Sequence, residues 1–378
     1  MGDDMQQFLF ASAVDADAAA LTRDCLAQLG EIPAQANLGF VYATDRLAGD
    51  LPQVLARLQQ AAPGVHWVGT VGMGICTSGR EVYDRTALAL MIGAFPEPAF
   101  HVVPGLQDAP QTLPGAVADW WQDQGYCFAL LHGDPSNPNT PALLNRLLLQ
   151  QDASFINGGL SSSSGDSYPQ LADAVVSGGL SGVLFNQQVE VLTDHTQGCS
   201  PIGPVHEITK AKDNIAITLD HRPALEVMKS EIGEVLAKDL AKIGGYIFVA
   251  LPIHGSDSGD YLVRNLVGID ADQGLVAVGD RLDDKRRMMY CRRDGNSARE
   301  DLQRMLARLR KRSDGRTIRG GVYVSCLGRG RNQFGNDSEE LKLIQQVLGD
   351  FPLVGFFANG EIYNGRLYGY TGVLTLFL

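Results

Sequence analysis

With 378 residues, 45% of them hydrophobic and 20% charged, the chain is long enough for two or three domains and has the composition of a globular protein, not a disordered one. Its formal charge, 31 basic against 43 acidic residues, is −12, a surface that repels phosphate backbones and makes nucleic acid an unexpected partner. No run of 18 apolar residues occurs, the acidic start Met1-Gly-Asp-Asp-Met lacks the positive charge of a signal peptide, and the six cysteines at 25, 76, 127, 199, 291 and 326 form no CxxC pair. The expectation is a cytoplasmic protein with no membrane span, zinc ribbon or disulfide scaffold.

In chain order, Phe8-Leu-Phe-Ala-Ser reads as a strand and Asp15 to Leu29 as a helix with Ala19, Leu21, Cys25, Leu26 and Leu29 near one face. A strand from Leu38 to Thr44, a helix from Leu51 to Gln60, a strand ending in the Gly-rich turn His66-Trp-Val-Gly-Thr-Val-Gly-Met-Gly74, and the apolar strand Thr86 to Ile92 follow. Pro96, Pro98, Pro104, Pro110 and Pro114 mark the next stretch as a connector. The same succession then recurs: Tyr126 to His132, Thr140 to Gln150, Ser154-Phe-Ile-Asn-Gly-Gly-Leu160 and Leu180 to Phe185.

Val189-Glu-Val-Leu-Thr, a hairpin from His206 to Leu219 and a helix from Pro223 to Ile243 come next. Strand candidates at Tyr246 to Pro252, Tyr261 to Ile269, Gly274 to Val278 and Arg287-Met-Met-Tyr precede a helix opened by the capping box Ser297-Ala-Arg-Glu300. The basic run Arg304 to Arg319, on and after that helix, reads as a solvated face. The succession closes the chain a third time, with Gly321 to Cys326, Ser338 to Gly349, Leu353-Val-Gly-Phe-Phe-Ala-Asn-Gly-Glu361 and Thr371 to Phe377. From strand glycine to turn glycine the first copy takes 30 residues (Gly39 to Gly69) and the third 34 (Gly321 to Gly355). Self-similarity of this kind predicts three related strand–helix–strand–strand units. The expected fold is α/β, with layered mixed β-sheets and outer helices, the units ending at Ile92, Phe185 and Phe377 sharing one strand order.

Three stretches make the chain resemble the FIST family, the "F-box and intracellular signal transduction" sensory domain: Gln197-Gly-Cys-Ser-Pro-Ile-Gly203 with Ile208-Thr209; Ser325-Cys-Leu-Gly-Arg-Gly330 with Phe334-Gly335; and Gly355-Phe-Phe-Ala-Asn-Gly-Glu-Ile362. The Gly69-Thr-Val-Gly72 turn and Thr86-Ala-Leu-Ala-Leu fit its N-terminal pattern, and the resemblance runs from about residue 9 to 378. It implies a FIST N-terminal part over residues 1–222 (units one and two), a C-terminal part over 223–378 (unit three), and a sensory module for small molecules such as amino acids. With no kinase, cyclase or F-box segment appended, the output is expected to pass to a separate signalling protein such as a histidine kinase. The family also contains haem-binding nitric-oxide sensors; that branch needs a neutral histidine against an apolar pocket, and His132, His195, His206 and His254 all remain open. The expectation is that haem is not needed for folding.

The polar turns at equivalent strand ends form the expected ligand site: Thr70, Ser161, Ser162, Ser163, Arg329, Asn359, Gly360 and Glu361, with Cys199 near its rim, in a cleft between the N- and C-terminal parts. Arg329 and Glu361 would either clamp the carboxylate and ammonium of an amino-acid-like ligand or pair with each other and pin the turn. The Ser161 to Ser164 tract reads equally as a flexible surface loop. Ser161 to Ser164 and Cys326 are also candidate nucleophiles, but with no G-x-S-x-G elbow, H-E-x-x-H or P-loop, a hydrolase is the alternative and a non-enzymatic role the expectation.

Overall fold

Three glycines hold the same place in three sheets. An added Cβ at Gly69, Gly158 or Gly355 would lie 1.8, 1.7 or 1.8 Å from the carbonyl oxygen of Val41, Leu131 or Tyr323, on the parallel neighbouring strand. Only glycine lets the backbones approach that closely. The spacing that marks the repeats in the sequence is therefore a packing requirement. The computed structural model describes residues 7–107, 115–125, 127–148, 154–253, 261–284 and 286–378, and these fall into two compact units, one of residues 1–196 with 301–378, the other Gln197–Glu300.

The larger unit contains the three repeats. In each, a central strand (Leu38–Thr44, Phe128–Gly133 or Gly320–Cys326) pairs in parallel with the inner strand that follows its helix (His66–Gly72, Phe155–Leu160 or Leu353–Ala358). On its other side the central strand pairs antiparallel with a return strand (Ala87–Gly93, Leu180–Phe185 or Thr371–Phe377). Beyond the return strand lies an outer strand, Leu9–Val14, Phe100–Leu106 or Val191–Gln197. The expected shared strand order is thus found, and the fold is mixed α/β.

Each repeat also has a hairpin between its inner and return strands, and each hairpin completes another repeat's sheet. Gly74–Thr77 with Arg80–Tyr83 joins the third sheet, Gln170–Ala172 with Val175–Val176 the first, and Glu361–Tyr363 with Arg366–Tyr368 the second. This cyclic exchange gives three open six-stranded sheets and ties each repeat to the other two. Their inner faces share one core, in which Phe40, Tyr42, Met91, Leu130, Phe185, Val324, Phe356 and Phe377 are buried. Helices cover the outer faces: Ala18–Leu29 and Leu51–Ala61 on the first, Gly115–Gln124 and Thr140–Leu148 on the second.

Residues 96–114 do more than connect. Phe100–Leu106 is the outer strand of repeat two, and Pro104 is tolerated there because the strand is at the sheet edge, opposite a register shift between Leu180 and Gly182. Tyr126, Pro110, Pro114 and the end of the expected helix at Gln150 lie outside the described residues.

The smaller unit is inserted in chain order between the outer strand Val191–Gln197 and the helix Gly295–Ser313 of repeat three. It is a barrel: strands His206–Lys212, Ile215–Leu219, Leu275–Val278, Tyr261–Asp270, Ile247–Pro252 and Arg287–Arg293 pair in that order, and the last closes on the first. Its core includes Ile208, Met228, Val249, Val276 and Tyr290. Layered sheets, as expected from the sequence, describe the larger unit only. The expected helix from Pro223 to Ile243 is broken into Ala224–Glu231, Glu234–Lys238 and a 3-10 turn, with Gly233 at φ +84° between the first two. The capping box at Ser297 is likewise corrected: the helix begins at Gly295, and Asp294 accepts from Asn296 N at 3.1 Å and from Ser297 Oγ at 2.8 Å.

Candidate functional site

The turns that follow the three inner strands meet in the larger unit. Thr70 and Ser161 share a hydrogen bond between their hydroxyls at 2.6 Å, and Thr70 Oγ1 also donates to Pro169 O at 3.2 Å. Ser162 Oγ accepts from Met73 N at 2.9 Å and donates to Phe357 O at 2.5 Å, so one side chain joins all three repeats. Asn359 N donates to Leu160 O at 3.0 Å, and Gly360 O accepts from Leu160 N at 2.8 Å. Thr70, Ser161 and Ser162 are buried, Ser163 and Gly360 half-buried, and Asn359 exposed. Thr70, Ser161 and Ser162 therefore spend their hydroxyls on one another and on the backbone, and the first two residues of the serine tract are not a loose surface loop. One layer deeper, Tyr42 Oη and His132 Nε2 lie 3.0 Å apart, and Tyr42 stacks on Phe356 with centroids 5.4 Å apart. Burial pushes the His132 imidazole down to about 3, which keeps it neutral.

Arg329 follows the central strand of repeat three and is wholly buried. Strand alternation puts Tyr323 and Ser325 on one face, and the helix Glu339–Leu348 brings Glu340 down onto it. Glu340 Oε1 accepts from Tyr323 Oη at 2.6 Å and Arg329 Nε at 2.7 Å, while Oε2 accepts from Ser325 Oγ at 3.2 Å and Gly330 N at 2.9 Å. Arg329 Nη2 is also 2.7 Å from Glu340 Oε1, and the guanidinium lies 5.0 Å from the Phe334 ring centroid. Burial opposes the Arg329 charge, but the Glu340 carboxylate outweighs it and holds the guanidinium protonated. The acid that pairs with Arg329 is thus Glu340, not Glu361. Sequence reasoning missed Glu340 because it stands beside Glu339 as one of two ordinary acids in a first helical turn; the signal present was a tyrosine and a serine two residues apart on the preceding strand.

Glu361 is equally buried. Its Oε2 accepts from Thr371 N at 3.0 Å and Thr371 Oγ1 at 2.8 Å, where the return strand begins. The Cys326 thiol faces the same carboxylate. Burial raises the Glu361 carboxyl from 4.5 to about 7, against the lowering effect of Thr371, Cys326 and the charge of Arg329. The thiol is pushed up in turn by burial and by Glu361, which keeps it protonated and a poor nucleophile. Arg329 and Glu361 are linked through Cys326, whose carbonyl accepts from Arg329 N at 2.8 Å. Three buried polar atoms in this group make no hydrogen bond, Arg329 Nη1 and Nη2 and Glu361 Oε1, although Nη2 is held in the ion pair with Glu340.

Cys199 belongs to the barrel, where it is buried, pairs in register with Arg293, and offers its carbonyl to Tyr261 Oη at 2.5 Å. Of the histidines considered for haem, His206 has both ring nitrogens engaged, Nδ1 with Asp220 Oδ2 and Nε2 with Glu231 Oε1, each at 2.6 Å. The His195 ring lies tilted against Tyr363 with centroids 4.1 Å apart, and His132 packs against Tyr42 and Phe356. These three surroundings do not fit an axial ligand facing a macrocycle. His254 lies outside the described residues. Among the described residues, no group of three His, Cys, Asp or Glu side chains is arranged to hold a metal, and no helix is long and apolar enough to cross a membrane.

The chain is 30% identical over 384 aligned residues to an uncharacterized protein of Mycobacterium tuberculosis, covering 96% of this chain and 95% of that one. It is 31% identical over 386 aligned residues to an uncharacterized protein of Mycobacterium bovis, with 96% and 94% covered. Residues 37–222 match the FIST N domain and residues 224–364 the FIST C domain. These are sensory signal-transduction domains, and the chain belongs to the FIST family.

Proposed function

We propose that the chain is a small-molecule sensor whose ligand, an amino-acid-like or organic-acid metabolite, is held by Arg329 and Glu361 at the junction of the three repeats. The observation that supports this reading is a pair of ionisable groups of opposite sign, both wholly buried, each with at least one polar atom that makes no hydrogen bond. A buried polar atom left unpaired costs roughly 1–3 kcal/mol, so such a pair invites a molecule that satisfies both. A ligand carboxylate takes Arg329 Nη1, and an ammonium group takes Glu361 Oε1 once that carboxyl is ionised. Asn359, Gly360 and Ser163 stand on the more accessible side of the same turns.

The same reading makes the protein a binding module and not an enzyme. Ser161 and Ser162 have no histidine among their hydroxyl partners, and the Cys326 thiol is held protonated. It acts in the cytoplasm and hands its signal to a separate protein such as a histidine kinase. A thermal-shift screen over amino acids and organic acids tests this with the parent, Arg329→Lys and Glu361→Gln. A ligand should stabilise the parent and lose most of that effect in Arg329→Lys, because an ammonium cannot replace the planar fork. Equal stabilisation of all three proteins would rule the site out.

A further inference from the structure

The barrel holds a histidine between two carboxylates brought from separate elements. His206 opens the strand His206–Lys212, Asp220 follows the strand Ile215–Leu219, and Glu231 ends the helix Ala224–Glu231. The ring is buried, with Nδ1 on Asp220 Oδ2 and Nε2 on Glu231 Oε1. Both contacts are hydrogen bonds from the ring only while it is protonated, because a neutral imidazole has one N–H and turns a lone pair toward its other partner. Burial opposes the charge on the ring, but the two carboxylates outweigh it and raise its pKa above 6.5. Near the ring also stand Glu207, in register with Arg287 across the ladder, and His221, beside Asp220. Tyr290 lies under Glu231, holds its proton through burial and that charge, and donates to Ala224 O at 3.1 Å. Met288, in register with His206, brings no charge.

The two carboxylates differ in what they lose when the ring becomes neutral. The Glu231 side chain is 10% exposed, its Oε2 makes no hydrogen bond, and its carboxyl packs on Gly203, where an added Cβ would lie 2.2 Å away. Without the ring N–H it would be a buried charge with no donor, which is costly. The Asp220 side chain is 50% exposed, so solvent can replace the ring. A neutral ring therefore keeps Nε2–H on Glu231 and turns its lone pair on Asp220.

Asp220 holds a turn that depends on it. Asp220 and His221 are consecutive at φ +47° and +66°, the pattern of a two-residue hairpin turn that favours glycine at its second position. His221 carries a Cβ there, at a cost in backbone energy. What ties the turn down is Asp220 N donating to Glu207 O at 3.0 Å, Glu207 N donating to Asp220 Oδ1 at 2.9 Å, and His221 N donating to Thr209 Oγ1 at 3.0 Å. We infer that His206 is a proton-operated latch on this turn: as an imidazolium it ties the turn and the helix end to one strand, and on losing its proton it keeps Glu231 and releases Asp220. The sign follows from linkage. The latch is fully closed below the ring's ordinary 6.5 and opens as pH rises through its raised folded value.

Hydrogen exchange in the full chain at pH 6 and pH 9, corrected for the intrinsic pH dependence of amide exchange, tests this in the parent, Asp220→Asn and His206→Gln. In the parent, the amides of Glu207, Asp220 and His221 should lose protection at least fivefold at pH 9, while the ladder amides of Ile247–Pro252 in the same barrel keep theirs. Asparagine suits a left-handed φ and its Nδ2 donates to a neutral ring, so Asp220→Asn should change less than fivefold. His206→Gln, which has no proton to lose, should also change less than fivefold. A smaller fall in the parent, a fall of fivefold or more in either variant, or a loss that spreads to Ile247–Pro252 overturns the inference. Should His206→Gln fail to fold, Asp220→Asn decides alone. Neither variant alters Arg329 or Glu361, so a failure here leaves that site standing and the reverse.

Discussion

Glu340 Oε1 and Arg329 Nε meet at 2.7 Å with neither side chain exposed, in a pair that also gathers Tyr323, Ser325 and Gly330 N. Buried pairs of this kind are costly to break because removing one partner strands the other charge. Glu340→Ala is expected to destabilise the protein by about 3–5 kcal/mol. The surface pair Arg331 and Asp84, with side chains 40% and 65% exposed, provides the contrast: Asp84→Asn should cost no more than about 1 kcal/mol. Urea unfolding of both variants measures the difference.

The repeat glycines make a steric prediction. Gly355→Ala would place a Cβ 1.8 Å from Tyr323 O, a backbone atom that cannot rotate away. The variant should separate the central and inner strands of repeat three and yield little folded protein. Gly64→Ala, with nothing within 4 Å of the added Cβ, should change stability by less than about 0.5 kcal/mol. Soluble yield and melting temperature of the two variants settle the comparison.

Glu361 gives stability a pH dependence of definite sign. Its folded pKa, about 7, lies above its ordinary value of 4.5, so between those values the folded state binds more protons than the unfolded state. Stability should fall as pH rises from 4.5 to about 7 and then level off, by on the order of 3 kcal/mol for this group. Glu81, raised to about 8 by burial and by Glu340, contributes with the same sign over a slightly wider window. Glu361→Gln should remove its own share of the slope and leave that of Glu81. Chemical denaturation at intervals from pH 4.5 to 8 measures the two slopes.

Much of the frame is legible in the sequence because the requirement is local. Gly69 and Gly355 must lie against a carbonyl on the neighbouring strand, and the helix between those strands sets how far apart the glycines of each repeat fall. The hairpin exchange is not legible, since nothing in Glu361-Ile-Tyr363 specifies Gly158 and Gly159 as partners and not its own repeat's inner strand. Phe100–Leu106 was hidden by prolines that only an edge strand tolerates, and barrel closure depends on pairing between Ile247–Pro252 and Arg287–Arg293, about 40 residues apart. At the site, Arg329 and Glu361 stand out as charges beside glycine turns. Glu340 and Thr371 do not, because their roles arise only once a helix and a return strand are packed against them.

The most direct test of the Arg329 and Glu361 site is calorimetric titration of a zwitterionic amino-acid hit from the screen, at pH 6 and pH 8, into the parent, Arg329→Lys and Glu361→Gln. The parent should bind more tightly at pH 8, because the Glu361 carboxyl titrates near 7 and only its ionised form receives an ammonium group. Glu361→Gln should lose that pH dependence, and Arg329→Lys should lose about 2–5 kcal/mol of affinity at both pH values. Binding that is independent of pH in the parent and undiminished in Arg329→Lys would contradict the account.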